Sequence, residues 1–183
     1  MSWSIDSAHT SITFSVRHMM ISNVHGRFEN VEGIVDFNPE YPGESNIDVK
    51  IDASSIDTRE PQRDNHLRSP DFLDVEKYPY ILFKSSRIEK TSPSTGKVYG
   101  DLTIHGETRQ IVLEVKYSGQ AKSPFGTISA GFTATTQINR KDWGLGWNVA
   151  LETGGWLVGD KINVNIEVEI VKQEAAQKQQ AAA

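Results

Sequence analysis

Apolar and polar residues alternate with a period of two over most of this chain, and helical periodicity is nearly absent. Ile12, Phe14, Val16 and His18 share one face of a segment whose other face carries Thr13, Ser15 and Arg17. Ile47, Val49 and Ile51 alternate with Asp48 and Lys50, and Ile162, Val164, Ile166, Val168 and Ile170 alternate with Asn163, Asn165, Glu167 and Glu169. Successive side chains of a strand point to opposite faces, so this pattern predicts half-buried antiparallel strands. Similar stretches near 26–37, 80–88, 97–105, 107–118 and 127–138 bring the expected number of strands to eight.

One hairpin can be placed to the residue. His105-Gly106 stands between two alternating runs, and glycine supplies the positive φ of a tight turn. A two-residue loop pairs Leu102 with Arg109, Gly100 with Ile111 and Val98 with Leu113. Val98, Leu102, Ile104, Ile111, Leu113 and Val115 then share a face, a match that a one-residue slip would destroy. His105 is therefore read as a turn residue, not as a ligand.

Two segments interrupt the strands. In 55–79, Thr58 and Ser69 look like helix N-caps, and Pro70 suits a first helical position. Two short helices are expected there, within 58–76. The second segment, 139–160, is rich in glycine and tryptophan and predicts a short helical turn near 140–147. The run from Lys172 onward has no apolar stripe and predicts a polar tail over 172–183, frayed or helical, after one domain over 1–171.

Eight strands with one apolar face each must bury those faces together, in a sandwich or a closed barrel. Closure is favoured because neighbours look hairpin-connected and closing the sheet removes its edges. The fold class is thus all-β, an eight-stranded antiparallel barrel. A barrel of that size either fills with its own side chains or holds one small ligand. Ala130, Ala134 and Gly100 lie on inward faces, where they either leave room for a ligand or accommodate large neighbours.

Composition narrows the functional classes. The chain has 183 residues, 19 Lys+Arg against 24 Asp+Glu, and a formal charge of −5. A net negative chain lacks the basic footprint of a nucleic-acid binder, so no nucleic-acid partner is expected. Cysteine is absent, which excludes disulfides, thiol catalysis and Cys-ligated metal. No apolar run approaches the roughly 20 residues of a membrane span. The opening residues carry no basic-then-apolar leader, which predicts a cytoplasmic location, or a periplasmic or exported one if the sequence is a mature form.

Enzyme motifs fail on inspection. Ser94-Thr95-Gly96-Lys97 lacks the earlier glycine of a phosphate loop, and Gly144-x-Gly146 lacks the third glycine and the context of a dinucleotide site. The five His show no metal-ligand spacing, no Gly-x-Ser-x-Gly elbow exists, and no nucleophile–base pair is evident.

Several motifs together carry a family resemblance. They are Trp3-x-Ile5-Asp6-x-x-His9-x-x-Ile12-x-Phe14-x-Val16-x-His18-Met19, Gly26-x-Phe28 and Ser55-Ile56-Asp57-Thr58. Downstream come Arg63-Asp64-x-His66-Leu67, Asp71-Phe72, Tyr78-Pro79-x-Ile81-x-Phe83-x-Ser85, Gly100-Asp101-Leu102-Thr103-Ile104-His105-Gly106 and Ile138-x-Arg140-x-Asp142-Trp143-Gly144. Over residues 3–171 the chain resembles the YceI-like family of polyisoprenoid-binding proteins. The resemblance implies a lipocalin-like barrel holding a long amphiphile, a polyprenyl chain or an isoprenoid quinone, with no other cofactor.

The expected ligand wall is then Phe14, Val16, His18, Phe83, Leu102, Leu113, Phe132, Val164 and Ile166, with Trp143 and Trp147 lining a pocket mouth or plugging an end of the barrel. His18 is read first as a hydrogen-bonded core histidine and second as a contact to a polar head group. Arg63, His66 and Arg140 are the other head-group candidates, although ion pairs and turn bracing explain such residues more often. Three functions stay open: a lipid carrier without chemistry of its own, an enzyme acting on such a lipid, and an interaction module with a filled barrel. A homodimer is compatible with each.

Overall fold

The computed structural model describes residues 2–173, and the alternating segments become eleven strands of one sheet. They are β1 (Ser2–Ile5), β2 (Ser11–His18), β3 (Ser22–Phe28), β4 (Val31–Asp36), β5 (Asn46–Asp52), β6 (Ile56–Asp57), β7 (Tyr80–Lys90), β8 (Thr95–Ile104), β9 (Glu107–Lys122), β10 (Ile128–Asn139) and β11 (Val158–Lys172). The eleven reduce to the expected eight because the first three staves of the barrel are each broken once. β1 and β2 lie end to end along β11, with Trp3 opposite Lys172 and Ile12 opposite Ile166. β3 and β4 run beside them, and β6 and β5 beside those. From β5 the meander continues through β7, β8, β9 and β10 to β11, which closes the ring.

The breaks are built, not frayed. Asp6 caps a 3-10 turn at Ser7–His9, and Asp52 caps another at Ala53–Ser55. Ser55 Oγ then accepts the N–H groups of Glu29 and Asn30, so the interruption between β3 and β4 is bonded to the one between β5 and β6. Backbone donors that leave the ladder still find partners, as buried polar groups must.

The β8–β9 hairpin has the expected register, Leu102 opposite Arg109 and Val98 opposite Leu113. His105 and Gly106 both have positive φ, 52° and 75°, the signature of a type I′ turn. The insertion after β6 differs from expectation. One helix forms, α1 (Pro61–Arg68), and its capping side chain is Glu60, not Thr58. Ser69 is its C-cap, with the hydroxyl donating to His66 O, and the chain beyond it turns without forming a second helix. A cap residue reads alike at either end of a helix, which is why Ser69-Pro70 suggested a start. The turn near 140 is a 3-10 helix, Arg140–Trp143, ended by Gly144 at φ 73°. Of the tail expected over 172–183, Lys172 ends β11, Gln173 reaches back to Ser4, and 174–183 lie outside the described residues.

The two rims of the barrel are closed by different means. At the helix end, Ile56, Leu73, Ile104, Ile138, Trp143 and Leu145 pack together beneath α1. At the other end, Trp3, Phe37, Ala130 and Ile170 form a second cluster. Trp3 is almost fully buried and its Nε1 donates to Phe37 O. Burying about 200 Å² of such a side chain is worth at most about 5 kcal/mol. None of the described helices is long and apolar enough to cross a membrane.

Candidate functional site

Between the two clusters the barrel is hollow. A tunnel of about 410 Å³ runs from Leu67, Phe72 and Leu145 at the helix end to Pro39, Pro42 and the 92–96 turn at the other. That volume lies within the roughly 300–1,000 Å³ of small-molecule sites. Its wall on β8 reaches from Gly96 to Ile104, about 26 Å of strand at about 3.3 Å per residue, or about 20 Å along the axis for a strand tilt of about 40°.

The wall is almost wholly apolar because the inward face of every stave is the apolar half of its alternation. Phe14, Val16, Phe83, Leu102, Leu113, Phe132, Val164 and Ile166 all line it. The small residues contribute differently from one another. Ala134 borders the tunnel, whereas Ala130 belongs to the packed cluster around Trp3. Gly100 opens no space for a ligand: a Cβ there would collide with the Phe83 ring. Gly26 accommodates the Phe14 ring in the same way.

Of the remaining expected residues, all but Arg140 fall outside the lining. His18 lies at the helix-end rim opposite Val158 and Ser22, half-buried, one pleat beyond Val16. Trp143 is an end plug: it is 2% exposed and its Nε1 donates to Leu102 O at 2.9 Å. Trp147 packs edge-to-face on His66, with ring centroids 4.6 Å apart, and both touch Phe72. Phe72 alone of that trio reaches the tunnel. His66 Nε2 also meets Asp71 Oδ2 at 2.8 Å.

Arg63 serves the local fold. Its Nε donates to Thr58 Oγ1 and its Nη2 to Thr58 O, while buried Asp64 accepts from Thr58 N and Oγ1. Arg68 adds bonds to Ser54 O and Ile56 O. Thus α1 is held across the barrel end by hydrogen bonds at Thr58 and by Leu67 facing inward.

Arg140 does line the tunnel, but its donors are occupied. Nε reaches Gly159 O at 2.9 Å, and Nη1 reaches Leu145 O at 2.5 Å and Trp147 O at 2.9 Å. Nη2 faces Val158 O and Asp160 Oδ1, both at 3.5 Å. Burial pulls the guanidinium below its ordinary value, with Asp160 opposing the shift. The residue ties the 145–147 loop to β11 and offers a ligand little beyond its charge.

Sequence reasoning missed Thr10, Ile5 and Phe28 in the wall, together with Leu67, Phe72 and Leu73 from the insertion. Ile5 has the other parity, because the turn at Ser7–His9 breaks the alternation, but Thr10 shares the parity of Ile12 and Phe28 lies opposite it, so these two were legible. Those from the insertion were not, since no period marks which side of an irregular segment faces inward. Thr10 is distinctive because its Oγ1 is buried without a hydrogen-bond partner, alone in this respect among the described residues. The fold also brings together ligand-type atoms of Asp6, His9 and Glu169, from opposite ends of the chain. Asp6 is already engaged there by Ala8 N and His9 Nδ1.

Fold and tunnel define a lipocalin-like barrel with an internal apolar site. The chain belongs to the YceI-like family, whose model, the YceI-like domain, matches residues 3–170. Among curated relatives, a UPF0312 protein of Pseudomonas savastanoi pv. phaseolicola is 37% identical over 140 residues, 76% of this chain and 73% of that protein. A UPF0312 protein of Pseudomonas putida is 33% identical over 169 residues, 92% of this chain and 84% of that one. Among solved structures, the YceI protein of Campylobacter jejuni is 36% identical with a TM-score of 0.74, over 86% of this chain and 90% of that chain. A polyisoprenoid-binding domain from Saccharophagus degradans, implicated in plant cell wall breakdown, shares the fold at a TM-score of 0.67 and 13% identity, over 93% and 98% of the two chains.

Proposed function

We propose that this protein is a non-catalytic carrier that encloses a long-chain amphiphile, a polyisoprenoid such as a polyprenyl chain or an isoprenoid quinone, within its barrel. The continuous apolar tunnel carries this reading. A filled barrel would have no such space, and a short or compact ligand would leave much of the wall unused. Each buried CH₂ is worth about 0.8 kcal/mol, so a five-carbon unit offers up to about 4 kcal/mol before ordering costs. The ligand described for the Saccharophagus domain supports the same class. The wall presents hydrocarbon, which suits retention of a lipid better than bond making.

The test is mass spectrometry of organic extracts from purified protein. A polyprenyl lipid in near-stoichiometric amount is the expected result. Extracts free of lipid, from protein that also fails to take up a polyprenyl quinone, would overturn the reading.

A further inference from the structure

Five of the ten exposed large apolar side chains among the described residues stand together at the helix end of the barrel. They are Met19, Met20 and Ile21 in the β2–β3 turn, and Val149 and Trp156 in the loop before β11. Backbone hydrogen bonds set these two tips side by side. Met19 N donates to Leu157 O and Leu157 N to Val149 O, while Ala150 and Trp156 form a bridge of their own. Met20 lies against the second tip, its Cγ 3.1 Å from where a Gly155 Cβ would stand.

Folding alone does not account for these residues. Ile21 is 77% exposed and Met20 57%, so neither gains much from the core. Met19 and Met20 both have positive φ, 52° and 65°, and Ile21 N closes the turn onto His18 O. That is type I′ geometry, which Asn-Gly adopts readily and other L side chains only with strain. Exposed apolar residues in a strained turn point to a surface that contacts something apolar.

Size and charge narrow the partner. Five half-exposed side chains present on the order of 500 Å², below the roughly 800 Å² that each side of a stable protein dimer buries. Shallow insertion into a bilayer interface needs no such area, and tryptophan suits that interface. Residues 17–22 and 149–157 carry only two fixed charges, Arg17 and Glu152, which cancel, so an anionic surface has little to attract here. Arg17 has no ion-pair partner among the described residues, and its Nη2 donates to Met20 O, which holds a guanidinium ready for a lipid phosphate beside the apolar tip. A prenyl lipid is nearly absent from water, so a carrier must meet it at a bilayer; in this respect the inference rests on the carrier reading. The patch also leads toward the tunnel. Trp147, two residues before Val149, packs on His66 of α1 and on Phe72, which lines the wall.

We propose that the paired tips are a membrane-docking surface. Met19, Met20, Ile21 and Trp156 insert among the headgroups of a zwitterionic bilayer, Arg17 meets a lipid phosphate, and the α1 end of the barrel faces the membrane.

Flotation with phosphatidylcholine vesicles compares wild type with Met19→Asn/Met20→Gly, with Trp156→Ser and with the control Phe125→Ser. Phe125 is 95% exposed in the β9–β10 turn, at the opposite end of the barrel. Wild type is expected to float with the vesicles almost equally at low and high salt. Each tip variant should bind about tenfold more weakly, the effect of withdrawing large side chains from an apolar phase, and Phe125→Ser less than twofold. Met19→Asn/Met20→Gly should melt no lower than wild type, because it relieves the turn. The proposal is overturned by no flotation, by tip variants that float as well as wild type, by an equal loss in Phe125→Ser, or by a lower melting temperature of Met19→Asn/Met20→Gly. Binding only to vesicles that contain phosphatidylglycerol, or a wild-type dimer in light scattering that the tip variants dissociate, would overturn it too. All of these leave the carrier reading standing. A wild type that floats yet takes up no polyprenyl quinone from detergent solution would overturn the carrier reading and leave the docking surface.

Discussion

The ring of Phe83 lies where the side chain of residue 100 would be, and only the absence of a Cβ at Gly100 allows it. Phe83 is itself paired with Leu102, and its ring leans along β8 over the glycine while still lining the tunnel. Gly100→Ala should therefore displace the ring and cost about 1–3 kcal/mol by overpacking. Urea denaturation should show that loss in the single variant. In Gly100→Ala/Phe83→Leu, part of it should be absent relative to Phe83→Leu alone, the remainder coming from Lys84 O, which also lies 2.7 Å from the added Cβ. Additive losses would mean that the two positions do not compete for space.

Affinity should reside in the wall more than at the rim. Phe132 faces the tunnel against Phe37 and Tyr117, with both centroid distances 5.2 Å, whereas His18 sits outside the lining. Phe132→Asp should weaken uptake of a polyprenyl quinone by well over tenfold, and His18→Ala by less than threefold. Phe132→Ala, which adds no charge, should fall between them. The order of dissociation constants among variants that retain native circular dichroism decides the point.

Arg140 should behave as a structural tie. Its removal strands buried carbonyls of the 145–159 region and leaves Asp160 with Lys141 alone. Arg140→Ala should cost about 3–5 kcal/mol in denaturant unfolding. Arg140→Lys should recover less than half, because one ammonium cannot span the carbonyl acceptors that the forked guanidinium donors reach. Full recovery by lysine would assign the role to charge alone.

The α1 closure should open before the barrel does. Asp64→Ala deprives buried Thr58 of its acceptor and so loosens the hydrogen bonds that hold α1. Hydrogen exchange should accelerate at least tenfold across 58–73 while β8 through β10 stay protected, as expected of a local unfolding unit. Uniform acceleration throughout would make α1 part of the global core.

The Asp6–His9 pair gives a defined pH window. The hydrogen bond to Asp6 raises His9 above its ordinary value of 6.5, and the bond from His9 lowers Asp6 below 3.8. The raised His9 stabilises the fold fully below about pH 6.5, and that contribution fades as pH rises through its folded value. The lowered Asp6 stabilises above about pH 3.8 and fades as acid protonates it. The melting-temperature difference between wild type and His9→Gln should thus be largest near pH 5 and shrink by pH 8. A difference that grows with pH would reverse this assignment.

Strands were legible here wherever one face is apolar, since a period of two admits a single register. The Val98–Leu113 pairing follows from that alone. What alternation could not reveal is continuity across a break. Ile5 and Ile12 line the same tunnel at opposite parity, because the Asp6–His9 stretch between them, which reads as a loop, shifts the alternation by one residue. Local polar chemistry was ambiguous for another reason. Thr58 and Ser69 have the right side chains for capping, and only the surrounding backbone decides that one serves Asp64 and the other ends α1. The fate of Arg140 was hidden because its partners are carbonyls, which every residue possesses.

The seam where β11 meets β1 and β2 also governs how the molecule must assemble. Trp3 lies opposite Lys172, so the ladder that completes the ring joins residues from the two extremes of the chain. Hairpins such as β8–β9 can form early from local contacts, but this ladder waits for the largest loop to close. Until it does, a hydrophobic meander presents two bare edges, each able to pair with another molecule. Slow refolding and concentration-dependent aggregation are therefore inherent in the same closure that gives the finished protein no free edge along its seam.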